Sequence, residues 1–438
     1  MGQSECEEMI RPIPLSHGVG FFSMQQLPQF AGKYREENVG RYWNYYVTPE
    51  CQEWPEAVTY KGPYVIDGFS PNLNKSLHVG HLRQLALAKS LESIMNYAQQ
   101  KPNAKFVSLL GASQGVFQYA TEQLNGWFDF LNFHPELHYD VLMPRDQEIV
   151  PRYKTKVPVK DSISTDINGN PFEHEEECEV WDGPNGPVIV VRWDGRPLYA
   201  FQDIAFSKVV GPTHYITGTE QQEHFANLGL GDKHLPMGLV LGADGKKMKS
   251  RTGDSVTAKE VLDQIVSQLD PTPEPNKLAW NVLAWNFLHV ARSKSVKYTP
   301  QEWTKPDAPG MYISYTYARL QSAMSQVPYR DRTARHVVRI TAAGVNAVFD
   351  PEYDLTQGDA ELIGFANQHA YFLARSIESF DPAILANFTY DLAAKLGQAY
   401  HLDKIVDGRW GFKYSVSQAL THLRLCMCQL GMFPLEKI

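Results

Sequence analysis

The sequence predicts an α/β protein: a parallel-sheet domain with an inserted polar section, followed by an all-α helical bundle. Three observations predict it. Between about residues 61 and 255, short apolar runs alternate with helical stretches, the pattern of strands joined by crossover helices. A polar, turn-rich section from Pro151 to Pro187 interrupts that alternation. Beyond Asp254, apolar and aromatic residues recur at helical spacing, as in Asn281 to Val290 and Gly310 to Leu320. The divisions that follow are an irregular N-terminal cover over residues 1–60, a sheet domain over 61–270 with its insertion at about 140–190, and a helical domain over 271–438.

Composition excludes several classes. The chain has 438 residues, enough for about two or three domains. Its 43% hydrophobic and 21% charged residues are ordinary for a globular protein with a large core. No apolar run approaches the roughly 18 residues of a membrane span, so no membrane is expected as a partner. The first residues, Met1 to Glu8, are acidic and lack the basic and apolar regions of a secretory signal, and position 6 is Cys rather than the Ser or Thr of a myristoylation signal. A cytoplasmic location is expected. Five cysteines, without any Cys-x-x-Cys pair, argue against a disulfide framework and a zinc site, and Cys426-x-Cys428 reads as a coincidence of helix sequence. No resident metal is expected. The net charge of −8 gives no overall signal for nucleic acid, although a local basic patch would suffice to bind it.

Taken in order, residues 1–60 are rich in aromatics (Phe21, Phe22, Tyr42, Trp43, Tyr45, Tyr46) without a sustained period, hence the irregular cover. Tyr64-Val65-Ile66 reads as a strand, and residues 81 to 98 as a helix with Leu82, Leu85, Ala86, Ile94 and Met95 at helical spacing. Phe106 to Leu110 is a strand ending at Gly111, and Gln114 to Phe128 is helical. The inserted section carries an acidic run, Glu173 to Glu177, expected to be a solvated surface. Val188 to Val191 is expected to restart the sheet, and Tyr215-Ile216 continues it. From Gly238 an apolar strand enters a glycine-punctuated loop bearing Lys246, Lys247, Lys249 and Arg251. Such a loop can fold over a triphosphate and follow its charge.

The chain is organised around Ser70 to Arg83, which sits at a strand-to-helix turn. Helix N-terminal amides carry partial positive charge, and Gly80 permits close approach of a phosphate. His78 and His81, in the first turn, can face one polyphosphate.

His78-Val79-Gly80-His81 resembles the His-x-Gly-His signature of class I aminoacyl-tRNA synthetases. The preceding Ser70-Pro71-Asn72 and Lys75 resemble the arginyl member of that family. Three further stretches match the arginyl pattern in order. Asp194 to Ala205 resembles Asp-Gly-x-x-Leu-Tyr-x-x-x-Asp-Leu-Ala, and a helix there brings Tyr199 and Asp203 to one ligand, an aromatic face and a carboxylate suited to a planar guanidinium. Gly218 to Phe225 resembles Gly-x-x-Gln-x-x-His-Phe. Gly238 to Asp254 resembles the Lys-Met-Ser-Lys-Ser loop in its arginyl variant, with Lys75 standing in for the missing second lysine. Two stretches depart from the pattern. Gly111 to Gly115 lacks the acid and tryptophan usual in the family, and Asp67 stands where a Glu is common. Residues 1–60 are also too few for the N-terminal tRNA-elbow domain of most relatives, so the resemblance is to a compact form.

The resemblance implies a Rossmann-type catalytic domain and a helical anticodon-binding-like domain. It implies ATP-dependent activation of L-arginine to arginyl-adenylate, then transfer to the 2′-hydroxyl of the terminal adenosine of tRNA by a monomer. His78, His81, Lys75 and Lys247 would stabilise the developing phosphate charge, while Gly80, Gly218, His224, Met248 and Lys249 would border ATP. Asp67, Ser70, Asn72, Tyr199, Asp203 and Gln221 would hold arginine, and Mg2+ would arrive with ATP. Arg319 and a cluster of Arg330, Arg332, Arg335, His336 and Arg339 are candidates for RNA contact. Two alternatives stand beside this: a paralogue that gives arginine to a small molecule, peptide or special RNA, and a non-catalytic RNA-binding paralogue.

Overall fold

The computed structural model describes residues 64–74, 76–97, 104–111, 117–165, 171–230, 233–246, 256–327 and 356–438, with short strands at 13–15, 18–23, 35–39, 42–46, 339–341 and 344–346. The chain divides into two compact units, Gly62–Gln264 with Val290–Thr299, and the remainder. Residues 290–299 therefore fall with the sheet unit, where the sequence placed them in the helical domain.

The N-terminal strands β1 (Ile13–Leu15), β2 (Gly18–Ser23), β3 (Arg35–Val39) and β4 (Tyr42–Tyr46) form an antiparallel sheet of order β1-β2-β4-β3. This corrects the irregular cover. Strands of three to six residues are too short to set up a readable period, yet their aromatics favour extended backbone.

In the first unit, strands β5 (Tyr64–Asp67), β6 (Ala104–Leu110) and β7 (Glu136–Tyr139) alternate with helices α1 (Val79–Tyr97) and α2 (Phe117–Leu131). After the inserted section come α3 (Tyr199–Val210), a strand over Thr213–Gly218, α4 (Gln222–Leu228) and a strand over Lys233–Met237. The five strands form one parallel sheet, with Lys233–Met237 and Thr213–Gly218 on one side of β5, and β6 and β7 on the other. The chain thus winds outward from β5 in one direction and later returns to its other edge. The reversal opens a crevice at the strands' carboxyl ends, the usual ligand position in such sheets. Ile66, Val107, Leu110 and Ile216 are fully buried at the centre of the sheet, each burial contributing about 2 kcal/mol.

The inserted section is itself a sheet: β8 (Tyr153–Thr165), β9 (Pro171–Gly183) and β10 (Gly186–Val191), all antiparallel. Its register sets Lys154 opposite Glu179 and Lys156 opposite Glu177, cross-strand opposite charges that suit a solvated ribbon. Val188 to Val191 do not restart the parallel sheet. They pair with β9 because the loop Pro184-Asn185 turns the chain back on itself, with Gly186 at a φ of +121° that favours glycine. Val190 and Val191 nevertheless pack with Val107, Leu109, Phe201 and Ile204, which explains their apolar run.

With β11 (Thr213–Gly218) and β12 (Lys233–Met237) in the parallel sheet, β13 (Val240–Leu241) pairs in parallel with β14 (Val296–Lys297). Helix α5 (Ala258–Val266) follows a capping box in which Thr257 and Glu260 bond each other's backbone N–H groups.

In the second unit, helix α6 (Pro275–Leu288) is buried on every side from Leu278 to Leu288, as befits a central helix. The unit also holds α7 (Pro300–Trp303), α8 (Pro309–Ser325), α9 (Gln357–Asn367), α10 (His369–Ser379), α11 (Ala383–Leu402) and α12 (Trp410–Gln429), of which α7, α8 and α11 pack against α6. The C-terminal segment is tied to α6: Asn281 Nδ2 donates to the carbonyl of Phe433 at 2.8 Å and Asn281 Oδ1 accepts from its N–H at 2.7 Å. A short antiparallel ribbon, β15 (Arg339–Thr341) with β16 (Gly344–Asn346), interrupts these helices. Among the described residues, no helix is long and apolar enough to cross a membrane.

Candidate functional site

The turn between β5 and α1 is held at the sheet's carboxyl edge. Asn72 bridges to Gly111, the Leu73 N–H donates to the Gly111 carbonyl at 2.6 Å, and Asn72 Oδ1 accepts from the Asn74 N–H at 2.9 Å. Ser70 sits between the strands: its hydroxyl accepts from the Leu109 N–H at 2.8 Å and donates to Asp67 Oδ1. At the other end of the turn, the chain enters α1 through two histidines. His78 Nδ1 accepts from the Gly80 N–H at 3.1 Å, and His81 Nδ1 accepts from the His78 N–H at 3.1 Å. The exchange is a capping box built from imidazoles, satisfying two amides at the start of the helix. Their rings stack 3.9 Å apart at 26°.

Because both Nδ1 atoms accept, each neutral ring carries its proton on Nε2. Burial, with the adjacent His78, lowers the His81 pKa to about 3, so at neutral pH His81 is a hydrogen-bond donor without charge.

A pocket of about 330 Å³ opens at the carboxyl ends of β5, β6 and β11. Six of its lining residues, Asp67, Ser70, Asn72, Tyr199, Asp203 and Gln221, are those expected to hold arginine, and His224 joins them. Asp67 is 3% exposed. Burial raises its carboxyl to about 7, the nearby Asp203 charge adds to the effect, and the Ser70 hydrogen bond opposes it. Burial also raises Asp203, against the hydrogen bond from His224, whose Nε2 lies 2.7 Å from Asp203 Oδ2. Tyr199 begins α3 and leaves its ring 68% exposed at the rim. Among the described residues the lining contains no lysine or arginine, while three carboxyls, those of Asp67, Asp140 and Asp203, line it.

A second cleft, of about 400 Å³, shares Asn72, Asp140, Tyr199 and Gln202 with this pocket and adds Arg192 and Arg196. These arginines flank a tight turn in which the Arg192 N–H donates to the Arg196 carbonyl at 3.0 Å, with Gly195 at a φ of +77°.

The remaining expectations divide. Gly80 and His81 lie at the start of α1 with His78, and Gly218 ends β11, beside the pocket residue Thr217. Lys75, Lys247, Met248 and Lys249 lie outside the described residues, as do Ala112 to Gly115, where the sequence departs from the arginyl pattern. So do Arg330, Arg332, Arg335 and His336, while of Arg339 only the backbone in β15 is described. Arg319 places its guanidinium 4.4 Å over the ring of Tyr400. Sequence reasoning missed Asp140, Gln202, Tyr215 and Thr217, which line the pocket. Asp140 directly follows β7 and Thr217 is the penultimate residue of β11, so position at the carboxyl end of a strand was the available signal.

No family model matches the chain. Solved structures that resemble it have the class I aminoacyl-tRNA synthetase fold, which is therefore the fold of this chain. The Thermus thermophilus arginyl-tRNA synthetase aligns with a TM-score of 0.61 at 17% identity, covering 94% of this chain and 89% of that one. A Mycobacterium tuberculosis methionyl-tRNA synthetase with methionyl-adenylate gives a TM-score of 0.57 at 9% identity, covering 84% of this chain and 90% of that one. In sequence, the chain is similar to arginine--tRNA ligases, as its motifs led us to expect. That of Bacteroides thetaiotaomicron is 24% identical over 390 residues, covering 80% of this chain and 62% of the relative. The chain spans about half to two thirds of the length of the first such relatives it matches.

Proposed function

We propose that this chain is a ligase of the arginyl-tRNA synthetase type, which activates L-arginine with ATP and passes the arginyl group to tRNA. The observation that carries the reading is the pocket of Asp67 and Asp203. A guanidinium is planar, permanently charged and rich in donors, and it supplies the missing cation to both carboxyls. Gln221 and Asn72 add amides, and Tyr199 offers a ring face at the rim. A neutral amino acid would offer these carboxyls no cation beyond the hydrogen bonds that Ser70 and His224 already make to them.

In the reaction, the arginine carboxylate attacks the α-phosphate of ATP, and pyrophosphate departs. Arg-specific contacts fix the attacking group, so orientation supplies much of the acceleration. The Nε2–H groups of His78 and His81 and the amides at the start of α1 offer donors to phosphate oxygens as charge develops. By the resemblance, Lys75 and Lys247 add positive charge, Gly80, Gly218, His224, Met248 and Lys249 border the nucleotide, and Mg2+ enters on the phosphates of ATP. A 2′-hydroxyl of the terminal adenosine then accepts the arginyl group. The helical unit, with Arg319, Arg330, Arg332 and Arg335, is our candidate for contact with the body of the tRNA.

The test is to offer total tRNA with ATP and each labelled amino acid in turn, alongside amino-acid-dependent pyrophosphate exchange with and without tRNA. Charging with arginine alone supports the reading. Exchange with arginine but no charged tRNA moves the acceptor to another molecule, and neither activity leaves a non-catalytic paralogue.

A further inference from the structure

Arg83, two residues beyond His81 in α1, is fully buried, an unusual place for a guanidinium. Its Nη1 donates to the carbonyls of Gly238 at 2.8 Å and Leu239 at 3.3 Å, and its Nη2 donates to the carbonyl of Arg292 at 3.3 Å. The same junction is cross-tied without it. The Gly238 N–H donates to the Arg292 carbonyl at 2.9 Å, the Val296 N–H donates to the Leu239 carbonyl at 2.9 Å, and Arg292 Nη1 donates to the Pro236 carbonyl at 2.7 Å. A Cβ at Gly238 would lie 2.3 Å from the Lys294 backbone, so these segments touch there without room for a side chain. The next residue, Gln84, donates to the Ile216 carbonyl on β11 at 2.7 Å.

The two consecutive side chains therefore fasten α1 to the strands that deliver the other motifs. Gln84 holds β11, which ends at Gly218. Arg83 holds the Gly238–Leu239 junction leading into β13. The first turn of α1 is fixed from a third direction, because the Ala258 N–H donates to the Leu77 carbonyl at 2.8 Å and His78 bridges to Thr257.

We infer that Arg83 is a positioning residue for the ATP-dependent step, holding the His78–His81 turn at a fixed distance from the Gly238–Leu239 junction. The inference rests on the proposed function. It goes beyond that reading because Arg83 lines neither pocket. A planar fork can engage carbonyls on two segments at once, whereas a lysine ammonium acts as a single point. The spacing it sets belongs to the nucleotide side, so arginine binding at Asp67 and Asp203 is spared when it is lost.

The test compares Arg83→Lys and Arg83→Met with Leu91→Ala, a fully buried position on the same helix that serves as a stability control. Calorimetry gives the affinities for ATP and for arginine separately, and charging assays give kcat. Both Arg83 variants are expected to weaken ATP at least tenfold and to lower kcat by up to about 100-fold, the cost of a misplacement of about 1 Å. Arginine affinity stays within twofold, and Leu91→Ala lowers the melting temperature without the ATP defect. Should Arg83→Met fail to fold, Arg83→Lys alone decides. Unchanged ATP affinity in Arg83→Lys, a parallel loss of arginine affinity, or an equal ATP defect in Leu91→Ala would overturn the inference. A wild-type chain that binds both ligands but charges no tRNA would defeat the functional proposal and leave the ATP measurement standing as the test of Arg83.

Discussion

Asp67, at the end of β5, and Asp203, in the second turn of α3, line one pocket as two carboxyls whose pKa values burial has raised. Asp67, raised to about 7, need not be charged at neutral pH before a ligand enters. A cation entering between them favours the ionised form of both, so binding and proton release are coupled.

Arginine affinity should therefore rise with pH through about 7, the midpoint at which Asp67 loses its proton, and level off above it. Calorimetry near pH 6 in buffers of different ionisation enthalpy should register a proton released on binding. Asp67→Asn should abolish that proton and flatten the pH dependence, at the cost of about 2–5 kcal/mol in affinity for removing one partner of a buried charged pair.

The same shift has a consequence for stability, with a definite sign. Asp67 holds its proton more tightly folded, at about 7, than unfolded, at about 3.8, so its contribution is lost as pH rises between those values. The loss is on the order of 4 kcal/mol. His81 acts in the opposite sense, because its folded pKa of about 3 lies below the ordinary 6.5, and stability is lost as pH falls through that window. The two slopes oppose each other between about pH 4 and 6.5. Asp67→Asn should exceed wild type in stability to urea at pH 8, with the gap narrowing steadily by pH 5 and closing near pH 4. A constant gap across that range would contradict the assignment.

Gly80→Ala separates activity from stability. A Cβ there would meet His78 Cε1 at 2.9 Å and Nδ1 at 3.1 Å, displacing the ring from its capping bond. Loss of the cap costs about 1 kcal/mol, and the better helix propensity of alanine returns a similar amount. The expected outcome is a kcat lower by about 100-fold with little change in melting temperature, the lower end of the cost of losing one positioned donor.

Asn281→Ala addresses the helical unit. Asn281 is fully buried and bonds Phe433 through both its amide atoms, and Ser314 through its Nδ2 at 3.2 Å. Its removal leaves buried backbone groups unsatisfied, and unfolding should show a loss of about 3 kcal/mol.

Several motif residues were legible because they stand at a strand end or helix start that the apolar pattern marks, as Asp67 and Gly218 do at the ends of β5 and β11, and Gly80 and Tyr199 at the starts of α1 and α3. Tyr64 to Ile66, Phe106 to Leu110 and Tyr215-Ile216 all fall in the parallel sheet. Helices began or ended a few residues from the expected places, as with α6, which starts at Pro275 rather than Asn281 because proline suits the first helical position. The inserted sheet escaped notice because charged residues alternating along β8 and β9 look like a solvated loop until their register is known. Asn185-Gly186 was the signal that could have turned β10 back onto β9. Arg83 and Asp140 could not be found from periodicity, since their roles depend on segments distant in the sequence.

The most direct test of the central claim is to titrate the wild-type protein with L-arginine and with L-citrulline, which has nearly the same shape but carries a neutral urea group. If Asp67 and Asp203 receive a guanidinium, arginine should bind at least about 100-fold more tightly, the worth of a buried charge-assisted contact. Equal affinity for the two, or no binding of arginine at all, would contradict the account of this pocket.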